Sequence, residues 1–367
     1  MQVSSKFLFS ILASLGTVAS KPTNSSEICA ELSADSYGQV YWPGSPQYET
    51  ETQGELFSRT CQIYAYHKFV AFFSSTAWLK PICVFAPADS QCLANGVRKL
   101  ARSKTQFAVR SGGHMPITGF ASTNDGVMIV TTKLNEKKLV HAPNSLGATY
   151  LRAGAAFRWQ ELYEFVNPDG LIVVGGRVAS VGSSLALGGG LSYHSYERGW
   201  AANNVLNFEL VTGNGTILQV NQHSYPDLFW ALKGGSNNFG IVTSYSLRTY
   251  PSGTVWGGAV AYAPNTTTQY LDAFGAYLSP GGGVEDPKGN MMPSYSYTPS
   301  TGAITAGNVY VYNAPINNPK AFENFTAIPT TVNGVGLMNF SQVTAQTEHP
   351  VTKPNRSVFV AKISAHT

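Results

Sequence analysis

Val109-Arg110-Ser111-Gly112-Gly113-His114, the end of a short apolar strand running into a Gly-Gly-His turn, is the stretch with the clearest capacity for chemistry. Adjacent glycines reach backbone angles closed to other residues, so their N–H groups can converge on an anion such as a diphosphate. The histidine then stands at the edge of that cradle. Alone, such a turn reads as an ordinary surface turn. Weight comes from a second set of glycines, Gly175-Gly176, Gly182 and Gly188-Gly189-Gly190, set among Val173-Val174, Val181, Leu185 and Leu187. Glycine costs chain entropy and packs no side chain, so within apolar surroundings it predicts close approach of the backbone to a ligand.

Several other chemistries are excluded by pattern. No Gly-x-Gly-x-x-Gly fingerprint and no Gly-x-x-x-x-Gly-Lys loop is present, so neither a Rossmann dinucleotide site nor an NTPase is supported. Gly182-Ser183-Ser184-Leu185-Ala186 comes near a nucleophile elbow but departs at its last position, and the glycine run after it does not read as a helix. No Cys-x-x-Cys or paired-histidine spacing points to a metal. Charged residues make up only 12% of the chain, the net charge is +4, and basic neighbours occur only at Arg98-Lys99 and Lys137-Lys138. A nucleic-acid partner has no electrostatic footprint here.

The elements that must carry the turn begin at Pro81. Ile82 to Phe85 reads as a strand, and a helix of roughly four turns follows an N-cap at Asp89. Phe107 to Val109 is the strand that delivers the turn, and Val127 to Val130 is a buried strand by its continuous apolar run. Ala148 to Ala153 alternates, Arg158 to Val166 has helical spacing, and Leu171 to Val174 returns to strand. Two strand runs, Leu206 to Thr212 and Thr216 to Val220, flank Gly213-Asn214-Gly215 and predict a hairpin. A short helix over Asp227 to Lys233 and a strand over Gly240 to Tyr250 complete the unit. At Pro251 prolines and threonines increase and periodicity weakens, placing a domain boundary near 250.

The first twenty residues predict a secretory signal: Lys6, an apolar run from Phe7 to Val18, and small residues at Val18-Ala19-Ser20. No stretch is long enough to span a bilayer. Sequons stand at Asn24, Asn214, Asn265, Asn324, Asn339 and Asn355. Of the four cysteines, Cys29, Cys61, Cys83 and Cys92, three full pairings are open. Cys92 shares an apolar helix face with Leu93, Val97 and Leu100, which favours a buried thiol. Residues 21–80 resist assignment, and 59–73 within them are unusually basic and aromatic.

Four blocks occur together in one order: Arg110 to His114, Gly175-Gly176-Arg177 through Val181-Gly182, Leu187 to Tyr193, and Asp227-Leu228-Phe229-Trp230 through Asn237-Asn238-Phe239-Gly240-Ile241-Val242-Thr243. In order and spacing they resemble the FAD-linked oxidases of the berberine bridge enzyme type, above all a secreted fungal branch, over roughly residues 80 to 260. The resemblance implies an α+β fold. A PCMH-type (vanillyl-alcohol-oxidase-like) FAD-binding domain would occupy 81–250 and a partial antiparallel-sheet substrate domain 251–367. It implies FAD as cofactor, its diphosphate on Arg110, Ser111, Gly112 and Gly113, and His114 joined covalently to the 8α-methyl. Gly176, Val178, Gly182, Ser183, Gly188, Gly189 and Tyr193 would lie along the flavin, with Gly240, Ile241 and Val242 passing close by.

Departures from the pattern carry expectations of their own. Doubly linked relatives have a cysteine where this chain has Val178, so a single link is expected. Ser183 occupies the position that the resemblance assigns to oxygen access, and Asn203 stands where an aspartate is common. Residues 59–73 read as an insertion, and the chain ends at Thr367 where relatives continue, so no catalytic base is assigned. The implied activity is a secreted, monomeric oxidase that passes a hydride from an alcohol or specialised metabolite to FAD and then to O2, releasing hydrogen peroxide. The alternatives are a flavin-dependent cyclase and an inactive paralogue.

Overall fold

The computed structural model describes residues 25–34, 38–53, 55–57, 68–70, 72–141, 149–298 and 302–347. The signal segment, Cys61 and the sequons at Asn24 and Asn355 lie outside the described residues, as do 59–67 and 71 of the 59–73 stretch.

The first layer is built from α1 (Ser25–Ser33), β1 (Gly38–Tyr41), α2 (Pro46–Thr52), β2 (Glu55–Phe57), β3 (Lys68–Val70), β4 (Cys83–Pro87), α3 (Ser90–Ser103), β5 (Phe107–Arg110) and β6 (Val127–Val130). Its four-stranded sheet runs β1-β4-β6-β5, with β4 and β5 both parallel to β6 and β1 antiparallel at the edge. β4 and β6 are buried along their whole length, as expected for a parallel sheet covered on both faces. Asp89 caps α3 by accepting from the Cys92 N–H at 2.7 Å, and the helix lays Leu93, Val97 and Leu100 against Phe85 and Ile129. Each fully buried side chain of this kind contributes about 1.5–3 kcal/mol. Cys29 and Cys83 form a disulfide that ties α1 to β4, and Cys92 is buried beside them. Of the pairings left open by sequence, this one is present.

The second layer comprises β7 (Lys137–His141), β8 (Thr149–Gly154), α4 (Trp159–Val166), β9 (Leu171–Val173), α5 (Ser195–Arg198), β10 (Val205–Val211), β11 (Ile217–Asn221), α6 (Pro226–Leu232) and β12 (Ile241–Pro251). An antiparallel sheet runs β11-β10-β12-β8-β7, with β9 also on β12. The expected hairpin is β10–β11, in register from Asn207 opposite Asn221 to Val211 opposite Ile217. β7 was not legible as a strand, because Lys137 and Lys138 read as a surface basic pair. The Lys137 amine instead lies over the Phe157 and Phe165 rings, 4.6 and 5.0 Å from their centroids.

β12 ends at Pro251, and the next strand belongs to another sheet. That third layer holds β13 (Val255–Tyr262), α7 (Thr267–Leu278), β14 (Gly289–Thr298), β15 (Ala303–Tyr312), α8 (Glu323–Thr326), β16 (Thr330–Asn333), β17 (Gly336–Met338) and α9 (Phe340–Ala345). Its antiparallel order is β14-β15-β13-β16, with β17 also on β13. α9 returns to the second layer. Its Phe340 ring meets Tyr163 edge-on at 5.0 Å, and Thr344 donates to Gln160 Oε1 at 2.7 Å. The architecture is a mixed α+β fold in which two sheets converge on the Gly-Gly-His turn.

Candidate functional site

A cavity of about 700 Å³ opens where the turn after β5 faces the segment 181–188 and the start of β12. That volume lies within the range of small-molecule and cofactor sites. Its wall includes Ser111, Gly112, Gly113 and His114, then Gly182 and Gly188, and finally Gly240, Ile241 and Val242. No Asp, Glu, Lys or Arg side chain lines it. Gly113 has φ +73°, a left-handed angle that glycine alone takes without strain. A Cβ on Gly112 would come within 2.4 Å of the Gly182 N, so both glycines are required for two backbones to cross in contact. Among the described residues, the N–H groups of Gly112, Gly113 and His114 donate to no protein acceptor. They remain as donors for an anion, so the cradle fits a diphosphate.

The other sequence-nominated residues lie off the cavity wall, each for a physical reason. Arg110 is completely buried; its guanidinium forms an ion pair with Glu51 of α2 and sits 5.6 Å from the centroid of the Phe72 ring. Thr132 donates to the other Glu51 oxygen at 3.0 Å. Arg110 therefore anchors the strand end from behind. Gly175 and Gly176 make room for an indole: a Cβ on either would meet the Trp159 ring at 2.0 and 2.6 Å. Gly189, at φ +93°, makes room for Trp200. At these glycines the close neighbour in this structure is an indole.

Val178 lies in the turn closed by the Val181 N–H on its carbonyl, at 3.2 Å. Tyr193 is fully buried against Phe340, and desolvation pushes its hydroxyl pKa well up. Ser183 is also fully buried, and its neighbour Ser184 takes the place on the wall. Residues 183–188 wind as a 3-10 helix, where successive side chains point to different sides, and the Ser183 N–H is tied to the Phe157 carbonyl at 3.0 Å. Ser183 therefore sits behind the wall that Gly182 and Ser184 form.

Three residues that sequence reasoning did not nominate surround His114. Ser180 Oγ is 2.9 Å from its Nε2, and the Phe73 ring stacks on the imidazole with centroids 4.8 Å apart. The Phe73 N–H donates to the Gly113 carbonyl at 2.9 Å, so the end of the supposed insertion docks on the cradle itself. Arg158, whose backbone pairs with Gly182, supplies positive charge nearby. Burial first, and then Arg158, push the His114 pKa from 6.5 down to about 4. The imidazole is neutral at ordinary pH.

That depression fixes the sign of an acid effect. Between about pH 6.5 and 4 the unfolded chain binds a proton that folded His114 refuses, so flavin-free protein loses stability as pH falls through this window. Thermal midpoints measured from about pH 8 down to 4 check it. A shallower acid loss is expected for His114→Gln, and identical profiles for the two proteins would contradict it.

A glycine-floored cavity with unengaged N–H donors at one wall fits a ligand that carries a diphosphate. Residues 81–221 match the FAD binding domain family. The chain is 38% identical over 323 residues to the FAD-dependent monooxygenase prx3 of Penicillium roqueforti, covering 88% of this chain and 59% of that protein. It is 36% identical to the bifunctional solanapyrone synthase of Alternaria solani, covering 82% of this chain and 53% of that one. The chain thus spans little more than half the length of these relatives.

Among solved structures, 6-hydroxy-D-nicotine oxidase from Arthrobacter nicotinovorans superposes with TM-score 0.69 at 20% identity, over 84% of this chain and 63% of that one. The BBE-like 1 protein of Physcomitrella patens gives 0.67 at 19%, over 89% and 64%. The glucooligosaccharide oxidase of Acremonium strictum, whose FAD is described as 6-S-cysteinyl and 8α-N1-histidyl, gives 0.63 at 15%, over 88% and 62%. Residues 81–221 are thus a PCMH-type FAD-binding domain, the sequence relatives are fungal FAD-dependent oxidoreductases, and the fold is the one seen in BBE-like oxidases.

Proposed function

We propose that this chain is a secreted oxidase whose FAD is attached through His114 alone, and that it oxidises an alcohol or a specialised metabolite. When bound, FAD supplies the redox chemistry: it accepts a hydride from a substrate carbon and passes the electrons to O2, which leaves as hydrogen peroxide. The observation that carries the reading is His114 itself, a neutral imidazole on the cavity wall directly after the free N–H groups of Gly112 and Gly113. Those groups would hold the diphosphate, and a wall without charged side chains excludes competing counter-ions. Val178 in place of a cysteine leaves no second thiol at the corresponding position. The histidyl link described for the glucooligosaccharide oxidase, a protein of the same fold, supports a histidyl attachment here.

Secretion is supported by the Cys29–Cys83 disulfide and by the exposure of Asn214, Asn265, Asn324 and Asn339, the four described sequons. A second reading is a cyclase, favoured by the relative named bifunctional solanapyrone synthase. Oxygen separates the two. A panel of sugar, benzylic and polyketide-derived alcohols, followed by oxygen electrode and peroxidase-coupled assay, is expected to give one peroxide per product. Product formed with no oxygen consumed selects the cyclase. A purified chain that takes up no FAD contradicts both.

A further inference from the structure

The surroundings of His114 are more specific than attachment of a cofactor to an exposed histidine requires. The turn that carries Ser180 is fixed on both flanks: the Ala179 N–H donates to Thr347 Oγ1 at 3.0 Å and its carbonyl accepts from the Gln160 N–H at 3.2 Å, while the Val181 carbonyl accepts from the Trp159 N–H at 2.9 Å. Its own closing bond, Val181 N–H to Val178 carbonyl, completes a rigid mount for the serine hydroxyl. On the other side, Phe73 is held by its N–H on Gly113, and its neighbour Phe72 is buried beneath Arg110. A hydroxyl on one ring nitrogen and an aromatic plane on one face leave the imidazole little freedom in χ1 or χ2.

We propose that Ser180 and Phe73 are positioning residues for covalent attachment of the flavin, Ser180 by accepting the Nε2–H of His114 and Phe73 by fixing the ring plane, so that the Nδ1 lone pair is the one presented. The inference rests on the reading of His114 as the attachment site. The imidazole tautomer is set by the hydrogen bond that the opposite nitrogen makes. In the attachment step a bond forms between Nδ1 and the 8α-methyl carbon, while one methyl C–H and the imidazole N–H are lost. The two protons and two electrons pass to the isoalloxazine and then to dioxygen, giving hydrogen peroxide. The Nδ1 lone pair is the nucleophile and the two protons are released through solvent, so the orientation and tautomer of the imidazole govern the rate.

The test is a time course of acid-stable flavin on the purified full chain supplied with FAD, read beside total bound FAD and the thermal midpoint. Ser180→Ala is expected to slow attachment about tenfold, the scale of losing a histidine's orienting partner, while total FAD uptake stays unchanged. Ser180→Thr, which keeps the hydroxyl, restores the rate. Phe73→Leu slows attachment and Phe73→Tyr preserves it, an independent pair should Ser180→Ala fail to fold. Attachment at the wild-type rate in Ser180→Ala overturns the inference, as does a Ser180→Thr chain as slow as Ser180→Ala. Wild-type protein that binds FAD yet never acquires acid-stable flavin overturns the attachment reading itself, and with it this one.

Discussion

Glu51→Ala is expected to destabilise the protein by about 3–5 kcal/mol, the cost of stranding one charge of a buried pair. Arg110 is fully buried, and the Glu51 side chain is only 9% exposed. Removing the carboxylate leaves a guanidinium that water cannot reach, at the strand end that carries the cradle. The Thr132 hydroxyl loses its acceptor in the same change. Equilibrium unfolding in guanidinium, on flavin-free protein, reads the difference directly. A double replacement, Glu51→Leu with Arg110→Met, is expected to recover most of the loss, because a buried pair exchanged for apolar side chains of similar volume is close to neutral. A Glu51→Ala midpoint that matches wild type would mean that the pair does not anchor the turn.

His114→Ala has the largest expected effect on the cofactor: every trace of acid-stable flavin disappears. The cradle itself survives, because Gly112, Gly113 and Gly182 are untouched and their crossing does not involve the imidazole. The variant therefore still takes up FAD, but reversibly. Its thermal midpoint then rises with added FAD, by an amount equivalent to about 2.7 kcal/mol at a hundredfold excess over the dissociation constant. The wild-type midpoint, with the cofactor already attached, does not move. A variant that retains acid-stable flavin would place the link on another residue.

What the sequence made legible was local. The Asp89 cap with its helix and the β10–β11 hairpin depend on residues within a few positions of each other, and both stand where the pattern placed them. The Gly-Gly-His turn was legible for the same reason. Contacts across the fold were not: Glu51 and Arg110 are 59 residues apart, and Ser180 reaches His114 across 66. Nothing in the composition of 21–80 marks Glu51 as a partner, since its surroundings read as polar and irregular. The glycines at 175 and 176 show the limit of a correct principle. Their lack of a side chain does signal close approach, yet sequence cannot distinguish a cofactor from the indole of Trp159. Ser183 was displaced by helical phase, because a single 3-10 turn decides which of two adjacent serines faces the cavity.

The proposed attachment at His114 is tested in one experiment. The purified wild-type chain is denatured in acid, separated from free flavin and digested, and the peptide that contains His114 is weighed. The yellow colour and fluorescence are expected to stay with the polypeptide, with the mass of FAD on that peptide alone. Flavin released entirely into the acid supernatant would contradict the account.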